Sequence, residues 1–171
     1  MRERIENVFP QCQSNGCLEV ENSKEFSIID ESDQKCRIIS PTEQEFDFRV
    51  LNPSLKAVYF LAIDKCLFGD ESMHKKCDFA LFDNQTFCFV EVKDTYRNRD
   101  KHKAKAKEQL KTTIELFKAL ISFDHYIVEA IISWRYRPIR PAARTGMQEA
   151  AVEFRDELNV DLLEGNKKEF L

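Results

Sequence analysis

The sequence predicts one domain of the α/β (α+β) class, a mixed β-sheet with flanking helices spanning residues 1–171. Three observations predict it. Two apolar runs, Cys77 to Phe82 and Phe87 to Lys93, flank the turn-forming Asp83-Asn84-Gln85-Thr86 and read as a β-hairpin. Leu110, Thr113, Ile114, Phe117, Leu120 and Ile121 recur at i, i+3, i+4 and i+7, which predicts an amphipathic helix over about 103–122. Tyr126 to Trp134 then reads as a buried strand.

The other elements follow in chain order. A short helix is predicted around residues 2–9, with strands at Leu18 to Val20 and Phe26 to Ile29 among polar loops. Phe46 to Val50 alternates apolar with polar, as a half-buried strand does, and Asn52-Pro53-Ser54 is a turn. Lys56 to Phe68 reads as one long buried strand, because aromatic and β-branched residues dominate it and Gly69 begins a stop. After the 126–134 strand come an Arg/Pro-rich loop, a helix over about 146–158 and a closing edge strand at Val160 to Leu163. Residues 56–134 are thus the core, 1–55 an amino-terminal extension and 146–171 a carboxy-terminal helix and edge strand; no internal repeat or linker divides them.

A hydrophobic content of 43% supports a core, while 4 Gly and 5 Pro exclude a collagen-like or low-complexity chain. No apolar run approaches the roughly 18 residues that a bilayer span needs, and Met1 to Pro10 interleaves charged and apolar side chains, so no membrane association and a cytoplasmic location are expected. In that reducing compartment the six cysteines are expected as thiols. Cys66, His74 and Cys77 borrow zinc-ligand types but lack a fourth ligand, and Cys12 and Cys17 lack a second pair. His102 and His125 are lone imidazoles, and no Gly-rich phosphate loop exists.

Charge is unevenly spread. Lys93 to Lys111 holds eight basic and three acidic residues, a local +5 within a chain of net −4. Trp134 to Arg144 adds four arginines beside two aromatics. Arg97, Arg99, Lys101, Lys103, Lys105 and Lys107, with Arg135, Arg137 and Arg140, are therefore candidate contacts for nucleic-acid phosphates, set against the plainer reading of a solvated helix face and a basic loop.

The hairpin arithmetic points to chemistry. With Phe82 facing Phe87, Asp78 falls directly opposite Glu91 on one sheet face, Cβ atoms roughly 4.5–5.5 Å apart, and Lys93 projects from that face. Opposed carboxylates destabilise a sheet unless one is protonated or a cation sits between them, and oxygen ligands of this kind suit Mg²⁺ or Mn²⁺. Asp64, inside an apolar run, reads as structural or as a supporting group to such a site.

Asp78, twelve intervening residues and then Glu91-Val92-Lys93 resemble the PD-(D/E)xK nuclease superfamily, over about residues 56–134. The resemblance implies a restriction-endonuclease-like mixed sheet whose central hairpin carries the acids, followed by a helix and a further strand. It implies Asp78, Glu91 and the Val92 carbonyl as metal ligands, Lys93 as the catalytic lysine and Gln109 as a helix-borne site residue. Where some branches place Tyr four residues after that Gln, this chain has Thr113, and Cys77 stands in place of the motif's Pro, a departure that many members share. A further glutamate from a preceding helix is also implied, with Glu3, Glu6, Glu43 and Glu45 all eligible.

The expected function is therefore a Mg²⁺- or Mn²⁺-dependent phosphodiesterase acting on nucleic acid, DNA ahead of RNA, with Lys93 positioning the attacking water. Repair, restriction and phage defence, and mobile-element roles all fit the resemblance. The alternative is a catalytically inactive module of the same fold that binds nucleic acid or a protein partner within a larger assembly. A homodimer, paired through the edge strand near Val160, is a further expectation.

Overall fold

The structure is a computed structural model that describes residues 1–31, 33–40, 42–43, 45–69, 76–93, 99–135, 139–144 and 148–171. Its elements run α1 (Arg2–Val8), α2 (Gln11–Ser14), β1 (Leu18–Glu21), β2 (Glu25–Ile29), β3 (Arg37–Ile39), β4 (Phe48–Leu51), β5 (Val58–Ala62), β6 (Phe79–Phe82), β7 (Thr86–Lys93), α3 (Arg99–Leu120), β8 (Ile127–Trp134), β9 (Ala143–Arg144), α4 (Gln148–Leu158), β10 (Asp161–Glu164) and β11 (Lys167–Glu169). They build two mixed sheets, one ordered β1-β5-β6-β7-β8-β10-β9 and the other β11-β4-β2-β3.

β5, β6 and β7 form an antiparallel meander, and β8 and β10 then run parallel to β7. All four residues of β6 and six of the eight in β7 are buried, because both faces of the large sheet are covered. On one face Phe87 and Phe89 meet Phe117 of α3 at ring-centroid distances of 6.3 and 5.3 Å; on the other, Phe79 packs edge-on against Phe48 of the second sheet at 5.8 Å. Ala106, Leu110, Ile114 and Phe117 form the buried stripe of α3. That helix begins at Arg99, four residues earlier than the apolar spacing predicts, since good helix formers extend it beyond the stripe that packs.

Four expectations need correction. The long strand at 56–68 ends at Ala62: the Ile63 and Asp64 amides both donate to the Asp78 carbonyl, and Lys65 turns into the left-handed region at φ 58°. Apolar content carried the strand reading past a turn that apolar residues can also line. The cysteines are not all thiols, for Cys17 and Cys66 form a disulfide with Cα atoms 5.6 Å apart, while Cys12, Cys36, Cys77 and Cys88 are free and buried. β10 is not an edge, because it lies between β8 and the two-residue β9. β9 covers it only at Leu163 and Glu164. Finally, β2, β3 and β4 of the amino-terminal extension make a second sheet with the last strand, while β1 joins the first; β3 and β11 are three residues each and too short to show a period. Among the described residues no helix is long and apolar enough to cross a membrane.

Candidate active site

The site lies where the β6–β7 ladder opens. Antiparallel pairs alternate between hydrogen-bonded and non-bonded, and the Asp83 amide donating to the Thr86 carbonyl at 3.1 Å sets the phase. Leu81 with Cys88 and Phe79 with Val90 are the next bonded pairs, and Cys77 with Val92 would follow. That pair does not form. The Cys77 amide donates to Thr113 Oγ1 of α3 at 2.9 Å, and the Val92 amide donates to Asp78 Oδ2 at 2.5 Å. Two main-chain bonds are thus exchanged for two side-chain bonds, and the Val92 carbonyl, on the Asp78 side of the strand, loses the amide that would have capped it.

The register continues by one step to place Asp78 opposite Glu91, as the sequence predicts. Glu91 is 1% exposed and Asp78 8%. Lys93 Nζ donates to Glu91 Oε1 and, at 2.8 Å, to Gln109 Oε1, while Gln109 Nε2 donates to the Lys76 carbonyl at 3.0 Å. One turn on, Thr113 holds Cys77. Gln109 and Thr113 of α3 therefore clamp the 76–78 segment against the end of β7, and Asp78, Glu91, Val92, Lys93 and Gln109 all meet. Thr113 anchors the main chain here.

Burial governs the electrostatics. It pushes the Glu91 carboxyl up to about 8, a rise that the Lys93 ammonium partly offsets. Burial and then the charge of Glu91 push Asp78 well above the usual carboxylate range, against the pull of the Val92 amide and Lys93. Glu91 Oε2 is buried without a hydrogen-bond partner among the described residues. An orphaned buried carboxylate oxygen is costly, and a proton or a cation relieves it.

The chain matches no protein-family model, no curated protein and no solved structure. Its site must be read from its own residues. Among those described, no three His, Cys, Asp or Glu side chains come together as a metal-ligating group. The site offers two carboxylates and a main-chain carbonyl, hard oxygen donors of the kind that Mg²⁺ and Mn²⁺ take with waters completing the shell. With the orphaned Glu91 Oε2 among them, this donor set fits such a cation.

The second sheet supplies residues that the sequence did not reveal. Asp30, at the end of β2, raises both Asp78 and Glu91 by its charge. Asp47 is 2% exposed and receives Arg135 Nε at 2.6 Å and Nη2 at 3.0 Å; Asp30 receives Arg135 Nη2 as well. Arg135, expected on nucleic-acid phosphate, is instead the strut between the two sheets, because it leaves β8 directly beside these two acids and its planar fork matches a carboxylate. Nothing in the spacing of Asp30 or Asp47 marks them; they become neighbours of the site only through the second sheet. Asp64 stands beside the acids, adding its charge to that felt by Glu91.

The remaining basic residues divide. Lys101, Lys105 and Arg140 are exposed and Lys107 half-buried. Lys103 is paired with Glu164 at 2.9 Å, and Lys111 with Glu153 and Glu157 at 3.1 and 2.6 Å. Arg97 and Arg137 lie outside the described residues, as does the side chain of Arg99. Of the eligible glutamates, Glu3 and Glu6 sit on α1, and Glu3 lines a cleft with Asp83 and Asn84 at the closed end of the hairpin, away from the acids. Glu43 is occupied with the Ser40 amide, and Glu45 is exposed. Cys66 is spent in the disulfide, and His74 lies outside the described residues, so the zinc-like spacing has no structural counterpart among them.

Proposed function

We propose that this chain is a divalent-metal-dependent nuclease of the PD-(D/E)xK type, on a restriction-endonuclease-like core of β5, β6, β7, α3 and β8. The observation that carries the reading is Glu91, a buried carboxylate with an orphaned oxygen, opposed by Asp78 at the one place where the ladder opens. Asp78, Glu91 and the Val92 carbonyl would hold Mg²⁺ or Mn²⁺. When bound, such a cation supplies Lewis acidity toward a phosphodiester. Lys93, fixed by Gln109, presents an ammonium beside the acids that can hold a water for attack on phosphorus. Lys101, Lys105 and Arg140 offer exposed charges to backbone phosphates, while Arg135 keeps the β8 end fixed against the second sheet.

The test is cleavage of single- and double-stranded DNA and RNA in Mg²⁺, Mn²⁺ or EDTA, by the wild type beside Glu91→Gln and Lys93→Ala. Metal-dependent cutting that both variants lose is expected. Cutting that persists in Lys93→Ala overturns the assignment. One observation favours the second reading, a binding module without catalysis: Glu91 Oε1 already receives the Lys93 ammonium, so one oxygen of the carboxyl has a partner without metal. In that case Mn²⁺ has no Asp78-dependent affinity, and Asp78→Asn, which keeps an oxygen for the Val92 amide, stabilises the fold by removing repulsion.

A further inference from the structure

At the closed end of the β6–β7 hairpin, segments distant in sequence converge on a cleft of about 700 Å³. Asp83 is five residue steps along the hairpin from Asp78, so at ~3.3 Å per step the cleft lies about 17 Å from the acids and is a separate place. Its size is that of pockets that take small organic ligands.

Its chemistry has two halves. Tyr59 stacks on Phe82 with centroids 5.0 Å apart and planes 13° from parallel, and Tyr126 also lines the cleft. Arg4 and Lys56 line it as well, with the acids Glu3 and Asp83. Arg4 gives one guanidinium bond to the Ser122 carbonyl at 2.8 Å and has no ion pair among the described residues. Among the described residues Lys56 has an ion pair only with Asp83, at 3.8 Å, whose Oδ1 is occupied by the Gln85 and Thr86 amides. By contrast Arg2 is paired with Glu6 at 2.9 Å and contributes little free charge. In a chain of net −4, two underused cations beside stacked rings call for an anion carried on a planar group. Asn84, exposed at the hairpin turn, adds an amide that can read the edge of such a group.

We propose that this cleft binds a nucleoside monophosphate, the base against Tyr59 and Tyr126 and the phosphate between Arg4 and Lys56. The proposal does not depend on the nuclease reading, since it uses none of that site's residues.

The experiment is isothermal titration of the full chain, in EDTA, with AMP, GMP, CMP and UMP, and separately with inorganic phosphate and with adenosine. At least one nucleotide is expected to bind more than tenfold tighter than either phosphate or adenosine. Arg4→Gln and Lys56→Gln, made separately and checked for an unchanged melting temperature, should each weaken it about tenfold, the cost of one charge-assisted hydrogen bond. Glu91→Gln should bind as wild type does. The proposal is overturned if no nucleotide binds, if phosphate alone binds as well, if both cleft variants bind normally, or if Glu91→Gln abolishes binding, which would place the ligand at the acids.

Discussion

Replacing Glu91 with glutamine keeps the side chain's shape and removes a charge that its surroundings cannot solvate. In the folded chain without metal the carboxyl is pushed up to about 8, against an ordinary value of 4.5. A carboxyl raised by folding stabilises the native state fully below 4.5, and that contribution is lost as pH climbs through 8, because the native state holds a proton that the unfolded chain has released. At pH 7 the loss is about 3 kcal/mol, and glutamine, neutral at every pH, does not suffer it. In EDTA at pH 7 to 8, Glu91→Gln should therefore melt above the wild type by about 6–12 °C for a domain of this size, with the two converging near pH 4. Saturating Mn²⁺ should return about 3 kcal/mol to the wild type at a hundred times its dissociation constant and nothing to the variant. Scanning calorimetry at four pH values, with and without Mn²⁺, reads all of this. If Glu91→Gln melts at or below the wild type at pH 8 in EDTA, or if Mn²⁺ lifts both proteins equally, the account of a buried carboxylate awaiting a cation is wrong.

Arg135→Met should cost about 3 kcal/mol in urea unfolding, because it strands the buried Asp47. Adding Asp47→Leu should recover most of that loss, which a role in phosphate binding would not produce. Cys17 and Cys66 close a loop of sequence separation 49, so the doubly substituted Ser variant should unfold about 4 kcal/mol more easily, and excess dithiothreitol should reproduce the loss in the wild type but not in the variant. If nucleic acid runs along the amino-terminal half of α3, the slope of log affinity against log salt should fall by about one for each of Lys101→Ala and Lys105→Ala, whereas an unchanged slope removes that helix from the interface. Gly165→Ala would bring a Cβ within 2.6 Å of the Pro141 carbonyl oxygen, and a destabilisation of about 1–3 kcal/mol is expected by thermal melt.

The central hairpin was legible because both its turn and its apolar runs are local, and local register alone brought Asp78 to Glu91. Gln109 was reached only through the resemblance, which implies such a residue on the helix after the hairpin; in the fold, α3 turns its side chain toward Lys93. Asp30 and Asp47 were illegible for the opposite reason: an acid at the end of one short strand reaches the site only after a second sheet has folded across it. Arg135 misled because a basic residue in a loop reads as solvent-facing until the buried carboxylate that receives it is known. Lys56 to Phe68 misled because hydrophobicity records burial and not backbone shape, and Ile63, Cys66 and Leu67 in the turn after Ala62 are buried as the strand before it is. The pairing of Cys17 with Cys66 depended on β1 lying beside β5, a contact between distant segments with no sequence period to announce it.

Between β10 and β11 only Gly165 and Asn166 intervene, so one short segment serves as an inner strand of the first sheet and the edge strand of the second. The Asn166 carbonyl accepts from the Arg49 amide, and the Phe170 amide donates to Leu51. A ribosome that has emitted everything up to Asn159 has therefore released a chain whose first sheet still lacks the strand that joins β8 to β9 and whose second sheet still lacks its edge beside β4. Both sheets are completed by the same short stretch at the end of synthesis.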